Sequence, residues 1–301
     1  MTKNSQQERN WWKEGVIYQI YPRSFKDTSG NGVGDLQGII QKLDYIESLG
    51  VTMVWLNPIY ESPNDDNGYD ISDYRAIMKE FGTMTDFDEL LQGLHKRNIK
   101  LVMDVVVNHS SDEHEWFQQS RSSRDNPYRD YYHWWPAEKG KPNHRWSFFD
   151  ENSDAWKYDK QTDAYYLHYF SQKQPDLNWE NPKVRQEVYD IMKFWADKGV
   201  DGFRLDAFQY VSKDITFPPF PEGYDISIPN VIKYHGMGPH IHTYLKEMYE
   251  QVLSKYDVFA VSEGVGSTLE DAHNLVDEDR KELQMAYHFE ATDMVTTLEK
   301  C

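Results

Sequence analysis

The sequence predicts a parallel α/β fold of the barrel kind. Three observations carry this. Strand-like apolar runs alternate with helical patterns along the chain. The run at 100–107 (KLVMDVVV) is apolar almost throughout, as in a sheet covered on both faces. Polar residues stand at the C-terminal ends of several different runs: Asn57, Asn108-His109, Asp206 and Glu263. A doubly wound sheet is the competitor. No Gly-x-Gly-x-x-Gly loop follows the first run, which argues against a dinucleotide fold and any nucleotide cofactor.

The elements follow in order. Residues 16–21 (VIYQIY) are the first strand. Leu36, Ile39, Ile40, Leu43, Ile46 and Leu49 keep helical spacing, and Gly50 stops that helix. Residues 52–56 (TMVWL) are a second strand. Phe87, Leu90, Leu91 and Leu94 mark a second helix, opened by a Thr85-x-x-Asp88 capping pattern. Residues 100–107 are the third strand.

The alternation then breaks. Residues 108–180 carry no long amphipathic helix, many Asn, Asp, Ser and Pro, and an unusual density of aromatics. They read as an irregular inserted domain leaning over a site, between a first barrel part (1–107) and its continuation (181–301). Asn181-Pro182 then supplies an N-cap and a Pro at the first helical position, and Gly199 ends that helix. Residues 202–206 (GFRLD) are a fourth strand. A Pro-rich loop at 216–223 and a helix at 239–256 lead to a fifth strand at 258–263, and 285–289 form a weaker sixth.

The chain has 301 residues, enough to bury a large core. Its 32 Lys and Arg stand against 50 Asp and Glu, a net charge of −18 that repels phosphate backbones and disfavours nucleic acid as a partner. No apolar run is long enough to span a membrane, and the N-terminal MTKNSQQERNWW has no apolar signal region, so a cytoplasmic protein is expected. A single cysteine, Cys301, excludes an internal disulfide framework and a cysteine zinc site. Aromatics make up 15% of the residues. They suit either a large core or a cleft that stacks flat apolar faces such as those of sugar rings.

The candidate chemistry lies at strand ends. Arg204 and Asp206 are two residues apart on one strand and so share a face, where the guanidinium would hold the carboxylate ionised. A structural ion pair is the plain alternative. Glu263 ends the next strand, and two carboxylates facing one cavity are what a retaining glycosidase needs. His109 could donate to a substrate hydroxyl. Asp66, Gly68 and Tyr69 place an acid and an aromatic after the second strand. The segment 27–35 (DTSGNGVGD) has oxygen-bearing side chains at alternate positions, like a calcium loop, but Gly38 stands where an EF-hand has its Glu. The same segment also reads as a Gly-rich turn in which Asp35 caps the next helix.

Taken together these residues resemble glycoside hydrolase family 13, the α-amylase family. WWKEGVIYQIYPRSFKDTSGNGVGD at the start, DVVVNH at 104–109, QPDLN at 174–178, GFRLDA at 202–207 and the strand ending at Glu263 carry the likeness over nearly the whole chain. The resemblance implies a (β/α)8 barrel with a B domain inserted after strand three and a C-terminal β domain. It implies Asp206 as nucleophile and Glu263 as acid/base. Asp66, Tyr69, His109 and Arg204 would hold the terminal sugar, and Phe149, Phe170 and Gln174 would line the rim. Asp27, Ser29, Asn31, Asp35 and the Val33 carbonyl would hold a structural Ca²⁺ or Mg²⁺, with Ser29 where the family has Asn or Asp. QPDLN marks the oligo-1,6-glucosidase subfamily, whereas Ala207 after the nucleophile goes with α-1,4 preference. The implied activity is therefore an exo-acting α-glucosidase on oligosaccharides or disaccharides, monomeric at full length, with linkage open. Sucrose isomerases and trehalose-6-phosphate hydrolases share the pattern, and inactive glucosidase-like binding proteins and endo-acting amylases are further alternatives. The family's third carboxylate, in an Asn-His-Asp segment after strand seven, has no counterpart here. The sequence thus reads as C-terminally truncated, with strands seven and eight missing, and is expected to have little activity alone.

Overall fold

A computed structural model describes residues 11–149, 154–224, 233–264 and 268–287. Its centre is one parallel sheet of six strands in the order β1 (Ile17–Ile20), β2 (Met53–Leu56), β5 (Lys100–Val106), β9 (Gly202–Asp206), β10 (Phe259–Ser262), β11 (Met285–Ala286). Neighbouring strands are parallel throughout, in register at Asp104 with Arg204 and at Val261 with Arg204. The sheet is curled. Trp55 on β2 and Tyr287 just past β11 lie four strand positions apart, about 19 Å across a flat sheet, yet their ring centroids are 6.2 Å apart. This is the arc of an incomplete (β/α)8 barrel.

Strand alternation sorts the side chains. Met53, Val102, Phe259 and Val261 cluster on the concave face with Trp11, Trp12, Ile17, Trp55, Met285 and Tyr287. Val54, Leu101, Met103, Val105, Phe203 and Leu205 point the other way into the large core shared with the helices. The concave face is tight at its base, where a side chain on Gly202 would meet the Phe259 ring at 2.6 Å. Trp11 packs edge-on against the same ring, at 5.3 Å.

Three expected helices differ in detail. The pattern at 36–49 forms two helices, Leu36–Ile40 and Leu43–Ser48. Lys42 N–H bonds to the Ile39 carbonyl, three residues back, which tightens the ladder into a turn between them. The helix Met84–His95 is opened by Thr83, not Thr85: Thr83 is extended, its side chain accepts from Asp86 N–H, and the Asp86 carboxylate returns to the Thr83 N–H. The capping pattern occurs twice, two residues apart, and Asp88 is used instead to pair with Lys198 at 2.7 Å. The helix Pro182–Lys198 starts at the Asn181 cap and ends at Gly199, whose φ of 104° is left-handed. The helix expected at 239–256 is α-helical over Ile241–Met248 and widens to a π-turn over Tyr249–Leu253. The end of the expected sixth strand, 288–289, lies outside the described residues.

After β5 the chain leaves the sheet. It builds a separate antiparallel sheet of β6 (Trp134–Pro136), β8 (Ala164–Leu167) and β7 (Trp156–Asp159) before returning at Pro182. A bridge between His109 and Asp176 ties the end of this excursion to the end of β5. A short hairpin of β3 (Tyr60–Glu61) and β4 (Asp73–Ile77) flanks the other side. Among the described residues no helix is long and apolar enough to cross a membrane.

Candidate active site

The C-terminal ends of β5, β9 and β10 converge on one guanidinium. Arg204 Nη1 donates to Asp104 at 2.7 Å and to Asp206 Oδ1 at 2.5 Å, and Nη2 pairs with Glu263 Oε1 at 2.6 Å. Two such short bonds through one planar group keep Asp206 and Glu263 carboxyl oxygens within about 7.5 Å of each other. The expected pair therefore faces a common space. Asp104 and Asp206 are buried, whereas the Glu263 side chain keeps 29% of its surface exposed.

Three carboxylates around one guanidinium leave an excess of negative charge. Burial pushes the Asp206 carboxyl well above the usual carboxylate range, and the Glu263 charge adds to this while Arg204 works against it. Burial likewise lifts Asp104 to about 6, again opposed by Arg204. The sequence reading had Arg204 keeping Asp206 ionised. Arg204 acts on Asp206 in that direction, favouring its charge, and divides this influence among Asp206, Asp104 and Glu263. Burial disfavours the charge on Arg204 itself, but Asp104, Asp206 and Glu263 together more than offset it and drive its pKa up.

The backbone is strained at the same point. Ala207, directly after Asp206, is left-handed at φ 46° without being glycine. That conformation aims its N–H at Glu263 Oε2, 2.9 Å away.

Asp66 and Tyr69 come from the turn between β3 and β4. Buried Asp70 accepts from the Asp65 and Asp66 N–H groups and from Ser62 Oγ, which folds this turn around it. Burial lifts Asp66 to about 6, partly countered by Gln174. Gln174 Nε2 donates to Asp66 Oδ2 at 2.9 Å and lies 3.1 Å from His109 Nε2. Gln174 Oε1 accepts from Ser171 N–H, which fixes the amide orientation, so His109 Nε2 is an acceptor here. Burial lowers His109 to about 3, so the ring is neutral at physiological pH. Tyr69 joins the carboxylate cluster: its hydroxyl lies 3.3 Å from Asp104 Oδ2 and accepts from Asn57 Nδ2 at 2.9 Å. Phe170 packs on His109 with centroids 4.9 Å apart, and exposed Phe149 packs edge-on against Phe170 at 5.6 Å. The structure thus brings Asp66, Tyr69, His109, Phe149, Phe170, Gln174, Arg204, Asp206 and Glu263 into one connected neighbourhood.

The 27–35 loop is separate. Asp27 accepts from Ser29, Gly30 and Gly32 N–H groups, and the Gly32 bond contributes most to lowering its pKa. Asn31 accepts from Val33 N–H, and Asp35 accepts from Thr28 and from Gly38 N–H as a helix cap. Among the described residues no group of three His, Cys, Asp or Glu is arranged to hold a metal ion by itself. Two carboxylates with neutral amide, hydroxyl and carbonyl oxygens are a donor set that fits a hard divalent cation.

Sequence reasoning missed Asp104, although a lone acid inside an apolar strand is a signal of its own. It also missed Trp55, whose Nε1 donates to Asp104 at 2.9 Å. A second buried cation escaped it as well. Lys213 Nζ pairs with Asp176 at 3.1 Å, donates to Asn108 Oδ1 at 3.1 Å and to the Tyr210 carbonyl at 2.5 Å, with both charged side chains almost wholly buried.

Comparison with known proteins agrees with this geometry. Residues 19–300 match the α-amylase catalytic domain family. The chain is 57% identical over 290 residues to an oligo-1,6-glucosidase of Bacillus cereus, covering 95% of this chain and 51% of that protein. It is 50% identical over 296 residues to an α-glucosidase of Schizosaccharomyces pombe, covering 95% and 50%. Among solved structures, a trehalose-6-phosphate hydrolase of Bacillus licheniformis superposes with a TM-score of 0.89 at 47% identity, over 94% of this chain and 50% of that one. An isomaltulose synthase of Protaminobacter rubrum gives 0.88 at 51% identity, over 93% and 50%. The chain spans about half the length of the curated relatives it matches. With the barrel arc, the strand-end carboxylates and this extent of identity in agreement, the chain belongs to glycoside hydrolase family 13, the α-amylase family.

Proposed function

We propose that the protein is a retaining, exo-acting α-glucosidase that removes terminal glucose from short oligosaccharides or disaccharides. The supporting observation is the single guanidinium of Arg204 bonded to both Asp206 and Glu263. Arg204 engages Asp206 Oδ1, which leaves Oδ2 to attack the anomeric carbon. Glu263, the most solvent-reached acid of the cluster, protonates the leaving oxygen. The bond to the leaving group breaks as a β-glucosyl ester forms on Asp206. Glu263 then takes a proton from water, whose oxygen displaces Asp206 and restores the α configuration. Asp66, with Gln174 and His109 beside it, would bind hydroxyls at the closed end of the glucose unit, and Phe149 and Phe170 would flank its entrance. A sugar hydroxyl in place of water would make the same site an isomerase or transglycosylase, which the similarity to an isomaltulose synthase favours as the second reading.

Prolonged incubation with 5-fluoro-α-glucosyl fluoride, long enough to label a chain expected to turn over slowly by itself, tests the assignment. The expected result is one fluoroglucosyl group on the peptide carrying Asp206, and none after D206N. Label on another residue, or no label, overturns it.

The 27–35 loop would hold Ca²⁺ or Mg²⁺ through Asp27, Ser29, Asn31, the Val33 carbonyl and Asp35, neutralising both carboxylates and stiffening the turn before Leu36. Millimolar Ca²⁺ should raise the melting temperature by a few degrees, and D27N should remove the rise. An equal rise in D27N would count against this site.

A further inference from the structure

Arg145, in the stretch before β7, is wholly buried, yet its hydrogen bonds go to carbonyls and not to an acid. Nη1 donates to the His144 carbonyl at 2.8 Å and Nη2 to the Pro218 carbonyl at 2.9 Å. Its guanidinium lies 5.6 Å from the Phe217 ring centroid and 4.9 Å from that of Phe220. Burial lowers its pKa, although a guanidinium remains charged in water at any ordinary pH. Pro218, Phe217 and Phe220 belong to the Pro-rich loop that follows β9, the strand of Asp206. Arg145 belongs to the excursion after β5. The contact joins two parts of the chain more than seventy residues apart, and Asn143 repeats it by donating to the Phe217 carbonyl at 2.9 Å.

The same stretch continues into the aromatic rim. Ser147 Oγ donates to the Phe170 carbonyl at 3.1 Å, and Phe148 N–H donates to the Tyr169 carbonyl at 2.7 Å. Phe148 packs on Phe170 at 5.2 Å and on Tyr210 at 4.7 Å, the latter four residues after Asp206. Phe170 in turn lies on His109. The rings at the site entrance are therefore carried by a segment whose other end is anchored to the β9 loop by Arg145 and Asn143.

We propose that Arg145 is a positioning residue that pins the loop after β9 to the 143–149 segment and thereby sets the aromatic rim that receives the ring beyond the scissile bond. The inference rests on the proposed glucosidase reading for the identity of that ring. The planar fork reaches two carbonyls while its faces meet Phe217 and Phe220, which a lysine cannot reproduce. Loss of the pin acts on the outer ring and leaves the inner glucose pocket, built by Asp66, Tyr69 and Arg204, in place.

The test compares wild type, R145M and R145K by hydrogen exchange and by binding of two probes. Valienamine occupies the inner ring position alone, and methyl acarviosin spans both. Expected for R145M are at least tenfold faster amide exchange at 216–220 and 147–149, valienamine affinity within twofold of wild type, and methyl acarviosin affinity reduced about tenfold. Unchanged exchange, or equal loss of both probes, overturns the proposal. If R145M does not give a cooperative melt, R145K carries the same comparison, and wild-type behaviour there overturns it equally. Wild type binding neither probe would sink the glucosidase reading instead, and the exchange comparison alone would then decide whether Arg145 is a pin.

Discussion

Two buried cations sit at the strand ends, and they are built on opposite charge balances. Lys213 meets one carboxylate, Asp176, and two neutral oxygens, Asn108 Oδ1 and the Tyr210 carbonyl, so its single charge is matched by a single opposite charge. Arg204 meets three carboxylates and is outnumbered. Burial lowers the Lys213 pKa and raises that of Asp176, and each partner restores the other. At Arg204 the acids oppose one another, and two of them are pushed up. The matched site fastens the QPDLN segment to the end of β5. The mismatched site gathers the carboxylates that the proposed chemistry uses.

Breaking the matched pair should have the larger effect on stability. D176A leaves Lys213 buried without a counter-charge, and urea unfolding should show a loss of about 3–5 kcal/mol. D104N, by contrast, removes one of three competing charges but turns one of the two oxygens, to which Arg204 and Trp55 donate separately, into a donor. The relieved repulsion offsets part of that lost bond, so its unfolding free energy should fall by only about 1–2 kcal/mol. Equal losses in the two variants would show that charge balance does not separate these sites.

The pH dependence sharpens the contrast further. Asp104 titrates at about 6 in the folded chain against an ordinary 3.8, so the folded form keeps a proton that the unfolded form has released. Its contribution to stability falls as pH rises from about 4 to about 6. Buried His109 and His114 do the reverse. Their folded values of about 3 and about 4 lie below an ordinary 6.5, so their contribution is present above 6.5 and is lost as pH falls toward 3. Stability of D104N should therefore climb more steeply than that of wild type between pH 4 and 6, as read from melting temperatures across that range. Parallel curves would place the shared proton elsewhere.

Much of this was legible in the chain. Strand and helix periodicity located the six strands that form the parallel sheet among the described residues, and the i, i+2 spacing put Arg204 and Asp206 on one face because alternation is a local property of a strand. Glu263 was legible as a second strand-end acid. The Asn181-Pro182 start and the Gly199 stop were equally local. The choice between Thr83 and Thr85 as the cap was not, since both offer the same side chain and the same acid three residues on. The sequence also displayed Asp104 and Lys213 without their meaning, because the opposite charge each one meets, Arg204 for Asp104 and Asp176 for Lys213, lies far along the chain.

Taken alone, the order of residues determined which elements form, which residues share a strand face, and which family's motifs they carry. Those properties depend on neighbours a few positions apart. Only the tertiary structure decided that Asp104, Asp206 and Glu263 compete for one guanidinium, that Gln174 reaches Asp66 and His109, and that Arg145 closes on Pro218. Each of those contacts spans from two to more than a hundred positions and is set by strand register and sheet curvature. The upward pull on the Asp104 and Asp206 carboxyls follows from the same source, since burial, which no residue carries by itself, opposes the single positive charge.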